Sequence, residues 1–293
     1  EDIQLPLEED GLIANDGDLP TQVVDVMVSE WMGYFLLRES MLDSLVRARD
    51  KFLKPATGLM FPSHTTMYFA PVMDEDERKI TAQEYSNSMS DWYEFASSTK
   101  AVYGVDMSVL ENEFEREQKE YYLLSSRWSE LAPEAVLAEP TVVKHLDMCA
   151  CTIEDSRGII KGAPHSGFEF EIDGSEVAGP ISGFAGWFTA DFKSRTDEDG
   201  ANAPKLLQPA FLSTGPENGY THWGQQTFYL PSSIPLMRGQ TTRLSGHLEM
   251  MRTKQNARLY NCRITYASSR RKNDAGKQGP VLYNSAPVEL VYH

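Results

Sequence analysis

Two carboxylates, Glu30 and Glu39, stand nine positions apart in Ser29-Glu30-Trp31-Met32-Gly33-Tyr34-Phe35-Leu36-Leu37-Arg38-Glu39-Ser40-Met41. They bracket an aromatic and apolar loop that contains a glycine. Two acids held among apolar side chains make a clamp for a single cation, and a guanidinium, with its planar fork of N–H donors, suits two carboxylates best. A second candidate lies far downstream, where His222 sits between Thr221 and Trp223 in Tyr220-Thr221-His222-Trp223. A lone histidine in that setting is structural by default.

The acidic loop needs rigid elements on both sides. Val23-Val24-Asp25-Val26-Met27-Val28 reads as a buried strand ending at the loop. Leu42, Leu45, Val46, Phe52 and Leu53 recur at near-helical spacing from about Ser40 to Lys54, with Pro55 and Gly58 ending the helix. The acids therefore lie at the carboxyl end of a strand, where open α/β sheets bind ligands. Before this unit, Glu1–Pro6 reads as a short edge and Leu7–Pro20 as an acidic loop.

From Leu59 the pattern changes to period two. Strands are expected at Thr65–Ala70, Gly167–Asp173, Gly183–Phe192, Gln226–Leu230, Thr242–Met251, Ala257–Tyr266 and Pro287–Tyr292. Phe168, Phe170 and Ile172 alternate with Glu169 and Glu171, and Tyr260, Cys262, Ile264 and Tyr266 share one face. Such alternation, punctuated by Gly and Pro, predicts an antiparallel sandwich or barrel. Between the strands, Asp91–His145 has helical character, and Leu110, Phe114, Tyr121, Leu124 and Trp128 form a candidate stripe. An aromatic helical excursion needs a cover, which predicts a dimerisation arm or a segment folded back onto its own strands. Lys193–Pro204 and Ser268–Gly279 read as surface loops.

The 293 residues suffice for one large or two modest domains, and 43 acids against 27 bases leave a net charge of −16. That field disfavours nucleic acid and favours basic protein partners. The short run Arg270-Arg271-Lys272 does not change this expectation. No apolar run approaches the roughly 18–20 residues of a membrane span, and Glu1-Asp2-Ile3-Gln4 lacks the features of a secretory signal. Three cysteines are too few for a disulfide framework, so a cytoplasmic and also nuclear setting is expected. His145, Cys149 and Cys151 mimic metal spacing, with both thiols on one face of a strand, but no fourth ligand is evident; structural cysteines are expected.

Ser29–Met41 resembles the double-glutamate loop of protein arginine methyltransferases, and Thr221-His222-Trp223 resembles the Thr-His-Trp loop of the same family. Gly58-Leu59-Met60-Phe61-Pro62, Val102–Ser108 and Lys144-His145-Leu146-Asp147 look like further family landmarks, so the likeness spans the chain. The branch it most resembles is arginine methyltransferase 3. The resemblance implies a fold of α/β plus all-β class: the C-terminal part of a Rossmann-type S-adenosylmethionine-binding domain over 1–57, then an antiparallel β-barrel over 58–293. It also implies an inserted helical arm, 91–145, through which homodimers form.

For function, the resemblance implies methyl transfer from S-adenosylmethionine to arginine in Arg/Gly-rich proteins, giving mono- and asymmetric dimethylarginine. It assigns catalysis to Glu30, Glu39 and His222, substrate contacts to Trp223, Met41 and Tyr34, and cofactor contacts to Glu1 and Met41. No metal is implied. The chain departs from the family in four respects, one of them the missing aromatic helix that lies over the cofactor. It contains no Gly-x-Gly for the nucleoside turn, it lacks the acid expected to pair with His222, and Arg38 replaces the usual aromatic residue before the second glutamate. The chain thus reads as starting within the cofactor domain, with Arg38 expected to pair with Glu39. The rival reading is a non-catalytic truncated paralogue that acts as a dimer partner or binds Arg-rich proteins.

Overall fold

The computed structural model describes residues 21–175, 179–195, 204–274 and 277–293, leaving aside the side chains of 274 and 277–279. Its strands in chain order are β1 (Val26–Val28), β2 (Leu59–Phe61), β3 (His64–Val72), β4 (Arg127–Ser129), β5 (Thr141–Asp147), β6 (Gly158–Ile159) and β7 (Gly167–Asp173). There follow β8 (Ile181–Phe192), β9 (Ala210–Ser213), β10 (Gln225–Ile234), β11 (Gln240–Arg252), β12 (Tyr260–Asp274), β13 (Lys277–Asn284) and β14 (Val288–Tyr292). The α-helices are α1 (Leu42–Phe52), α2 (Glu75–Tyr103) and α3 (Glu111–Gln118).

Alternation decides the main layers. In β7, Phe168, Phe170 and Ile172 are buried while their neighbours face solvent, and in β12 Tyr260, Cys262, Ile264 and Tyr266 are buried. These strands belong to two six-stranded sheets. In one, β4, β10, β8, β3 and β5 are neighbours in that order, with β9 on β8; in the other, β13, β12, β11 and β6 are neighbours, with β14 on β12 and β7 on β11. Both are antiparallel throughout. Aromatic rings join them: Phe168 and Tyr266 of the second sheet approach Phe184 of the first at 5.5 and 5.7 Å, and Phe184 stacks within its own sheet on Phe69 at 5.0 Å. The pairings among the described residues do not close the two sheets into one barrel.

The remaining pair, β1 and β2, is parallel, and α1 runs between them in sequence. The expected buried strand is here a three-residue one with Val26 47% and Val28 72% exposed. Its sole sheet partner among the described residues is β2, so one edge and one face stay uncovered. Helix α1 buries Leu42, Leu45, Val46 and Arg49, and carries Asp43 in its first turn and Arg49 and Lys51 in its last, as the helix dipole favours.

Helicity begins earlier than the sequence pattern suggested. α2 starts at Glu75 rather than near Asp91, behind an acidic first turn of Glu75, Asp76 and Glu77, and stops at Gly104, whose φ of 69° suits glycine. Arg78 holds Glu75 through two bonds of 2.9 and 2.7 Å, fixing the helix start. α3 folds back on α2, with Trp92 stacked on Phe114 at 4.4 Å. Beyond it, Arg127–Ser129 and Thr141–Asp147 are strands of the first sheet, because their backbones pair with β10 and β3. The segment read as a loop from Ser268 is strand through Asp274, held by pairing with β11 and β13. Glu1–Pro20 and most of Lys193–Pro204 lie outside the described residues. No described helix is long and apolar enough to cross a membrane.

Candidate functional site

The acidic loop is a folded turn with an apolar interior. The Gly33 N–H donates to the Leu36 carbonyl at 2.9 Å, and Ser40 N–H to Leu37 at 3.1 Å. Phe35, Leu36, Glu39 and Ser40 all have positive φ, between 46° and 82°. A left-handed residue other than glycine is costly, and several together persist only where the surroundings fix them. Those surroundings are visible. Trp31, Met32, Phe35, Leu36 and Leu37 are buried. A Cβ on Gly33 would meet the Arg38 carbonyl oxygen at 1.9 Å, so the turn requires glycine. Phe35 enters the first sheet at Gly186 of β8, where an added Cβ would lie 2.3 Å from its ring, and it meets Phe228 edge-on at 6.0 Å.

Glu39 is held from the second sheet. Its N–H donates to the Arg258 carbonyl at 2.8 Å, and its carboxylate Oε2 accepts from Arg258 Nη2 at 2.9 Å. Ser40 Oγ donates to the Ala257 carbonyl. One turn below, Arg252 of β11 clasps both carboxylate oxygens of Asp43, at 2.8 and 2.5 Å. This hydrogen-bonded guanidinium holds the Asp43 carboxyl below the usual carboxylate range and pushes the Arg252 guanidinium up. The expected partner of Glu39, Arg38, makes no ion pair among the described residues; the bond goes to Arg258 because the hairpin between β11 and β12 reaches the loop. Glu30, at the other end of the loop, is exposed and has no hydrogen-bond or ion-pair partner among the described residues.

The downstream loop meets the acidic one. Trp223 Nε1 donates to the Met32 carbonyl at 2.8 Å, and the indole packs edge-on against Phe188 at 5.5 Å. His222 is exposed, its ring 3.7 Å from that of Trp223. Thr221 caps the turn by accepting from Gly224 N–H. Gln225 then locks the start of β10, donating to the Thr214 carbonyl at 2.7 Å and accepting from Leu131 N–H at 2.8 Å. Thus Trp223 is brought onto the acidic loop, while no described contact joins His222 to Glu30 or Glu39.

An open groove of about 460 Å³ runs beside this junction, lined by residues of β1, Ser29, Trp31, Met41 and the apolar face of α1. Met41 is 48% exposed in it rather than packed into the core as Leu42 is. Trp31 is 2% exposed, and its Nε1 is buried with no hydrogen-bond partner among the described residues. Tyr34 is exposed at the loop tip. Glu1 lies outside the described residues. Cys149 and Cys151 sit in the turn after β5, not on a strand, and burial pushes the Cys151 thiol up to about 11. Among the described residues no cluster of His, Cys, Asp or Glu is arranged to hold a metal.

Residues 63–271 match the family model described as the arginine methyltransferase oligomerization subdomain. The chain belongs to the protein arginine methyltransferase family. It is 39% identical over 268 residues to protein arginine N-methyltransferase PRMT10 of Arabidopsis thaliana, covering 89% of this chain and 65% of that protein. A second Arabidopsis relative, probable protein arginine N-methyltransferase 6, is 32% identical, covering 85% of this chain and 56% of that one. These relatives carry the names of branches 10 and 6, not the branch 3 suggested by the sequence resemblance. This member of the family spans 65% or less of the length of these curated relatives. The crystal structure of Arabidopsis methyltransferase 10, described as a uniquely open conformation, superposes with a TM-score of 0.76 at 34% identity, covering 94% of this chain and 72% of that one. A Trypanosoma brucei PRMT1 enzyme–prozyme complex shares the fold, with a TM-score of 0.52 at 20% identity over 93% of this chain and 69% of that one.

Three contacts of the junction were not foreseen from sequence: Arg258 on Glu39, Phe35 against Gly186, and Arg252 on Asp43. The turn-forming stretch Thr253–Arg258 between two alternating runs is the signal that could have marked the hairpin, but nothing local says where its tip lands.

Proposed function

We propose that the chain is the acceptor-loop and sheet portion of an S-adenosylmethionine-dependent protein arginine N-methyltransferase, forming mono- and asymmetric dimethylarginine in Arg/Gly-rich protein segments. The observation that carries this reading is the bond from Trp223 to Met32, which unites the two loops bearing Glu30, Glu39 and His222. Within it, residues 1–57 are the C-terminal part of a Rossmann-type domain, and 58–293 the substrate-binding portion.

In this reading Glu30 and Glu39 hold the acceptor guanidinium. They draw its charge toward the nitrogens they touch and leave the lone pair of the remaining nitrogen facing the methyl donor. The cofactor supplies an activated methyl group on a sulfonium. The transfer breaks the sulfur–carbon bond, forms the nitrogen–carbon bond and releases one proton, so holding the nitrogen in line accounts for much of the rate. Trp223 fixes the loop, His222 orients it, and Met41 and Tyr34 border the acceptor. Met41 crowds the transfer site, favouring dimethylation of a single nitrogen.

The groove beside Met41 and Trp31 fits the methyl-bearing end of such a cofactor. Among the described residues its lining offers no carboxylate for a ribose diol and no glycine turn, and this chain by itself is expected to bind the nucleoside weakly. The helical hairpin of α2 and α3, with Tyr93, Phe95, Val102, Tyr103 and Val109 exposed, suits homodimerisation. Glu39 engaged by Arg258 favours the second reading, a non-catalytic subunit that pairs with an active enzyme. Incubating the natural full-length product with labelled S-adenosylmethionine and an Arg/Gly-rich protein separates them. Asymmetric dimethylarginine in the acid hydrolysate supports the enzyme. Label absent from the product alone, but increased in that of an active relative when this protein is added, supports the partner.

A further inference from the structure

We propose that Arg258 is an internal stand-in for the substrate guanidinium, a latch that occupies Glu39 and must be displaced when an arginine enters. This rests on the acceptor-site reading of the loop. Of the two acids, Glu30 has no partner among the described residues, whereas Glu39 already holds a guanidinium through Nη2 at 2.9 Å. The incoming cation and the resident one thus compete for the same carboxylate.

The competition is a weak one, as a latch requires. The paired side chains are 44% exposed for Glu39 and 68% for Arg258, and exposed pairs hold little net free energy. The backbone that presents Arg258 is by contrast well built. Thr253 N–H donates to Leu259, Thr253 Oγ1 donates to the Asn256 carbonyl at 2.7 Å, and Arg258 N–H donates to Asn256 Oδ1 at 3.0 Å. Glu39 N–H and Ser40 Oγ bond to carbonyls of the same hairpin. Removing the Arg258 side chain therefore leaves every one of these backbone-anchored contacts in place, and the loop keeps its shape. Arg38, the other nearby cation, forms no ion pair among the described residues and does not replace it.

The test uses the whole chain, with a blocked Gly-Gly-Arg-Gly-Gly peptide and its citrulline counterpart titrated by calorimetry or NMR. The latch predicts that Arg258→Ala binds the arginine peptide tighter than wild type by up to about fivefold, the range of an exposed ion pair. Arg258→Lys should fall between them, and Glu39→Gln should remove the difference. Equal or weaker arginine binding by Arg258→Ala, with arginine still preferred over citrulline, overturns the latch and leaves the acceptor site standing. Failure of every variant to prefer arginine over citrulline overturns both. A direct readout accompanies it: the Arg258 Nε–H resonance should shift on adding the arginine peptide, and a signal that stays fixed while peptide binds contradicts displacement.

Discussion

The indole Nε1 of Trp223 donates to the Met32 carbonyl oxygen at 2.8 Å, across 191 positions of sequence. This one bond fixes the acidic loop against β10. Trp223→Phe keeps an aromatic ring of smaller size and deletes the donor, leaving a part-buried carbonyl unpaired. It should lower the unfolding free energy by about 0.5–1.5 kcal/mol, read from the urea midpoint at unchanged slope.

Phe35 against Gly186 is the apolar counterpart of that bond. A methyl group on Gly186 would lie 2.3 Å from the Phe35 ring, so there is no room for one. Gly186→Ala should cost about 1–3 kcal/mol by overpacking, and Phe35→Leu should relieve part of it. In a double-mutant cycle the two substitutions should couple by at least about 0.5 kcal/mol; strict additivity would mean that the loop is not seated there.

Much of this arrangement was legible in the sequence, for local reasons. Alternation placed β7 and the buried face of β12 correctly, since period two and burial are coupled residue by residue. The acidic loop and its flanking helix were legible because Gly33, the two acids and the apolar spacing are all local. The extent of the helices was not: α2 begins with polar residues from Glu75, stabilised by the Arg78–Glu75 fork and the helix dipole rather than by an apolar stripe. Val26 and Val28 read as buried because valine usually is, yet burial depends on a neighbour that the local pattern does not specify. The Arg258–Glu39 pair bridges 219 positions, and no spacing rule reaches so far.

Asp43 makes the tether between α1 and β11 sensitive to acid. Its carboxyl is held below the usual range chiefly by the hydrogen-bonded Arg252, so the bond contributes fully above the unfolded-state value of about 3.9. The contribution is lost as pH falls from there through the lower folded-state value. Asp43→Asn should cost about 1.5–3 kcal/mol at pH 7, and the gap to wild type should narrow below about pH 4. A gap constant down to pH 2 would rule out this linkage.

The exposed rim of the helical hairpin should mediate self-association. Tyr103 is 77% and Val109 84% exposed, too open to support the monomer's fold. Replacing both with Glu should convert a dimer to a monomer in sedimentation velocity, with the thermal midpoint of the monomer little changed. An unaltered sedimentation coefficient would remove the arm from the interface.

Glu30 carries the central claim, since it is the acid left open at the loop. The most direct measurement is methyl transfer from labelled S-adenosylmethionine to an Arg/Gly-rich peptide by the natural full-length product and its Glu30→Gln variant. The account predicts a fall in kcat of about 100-fold or more, with dimerisation and the urea midpoint retained. An equally active Glu30→Gln protein would contradict it.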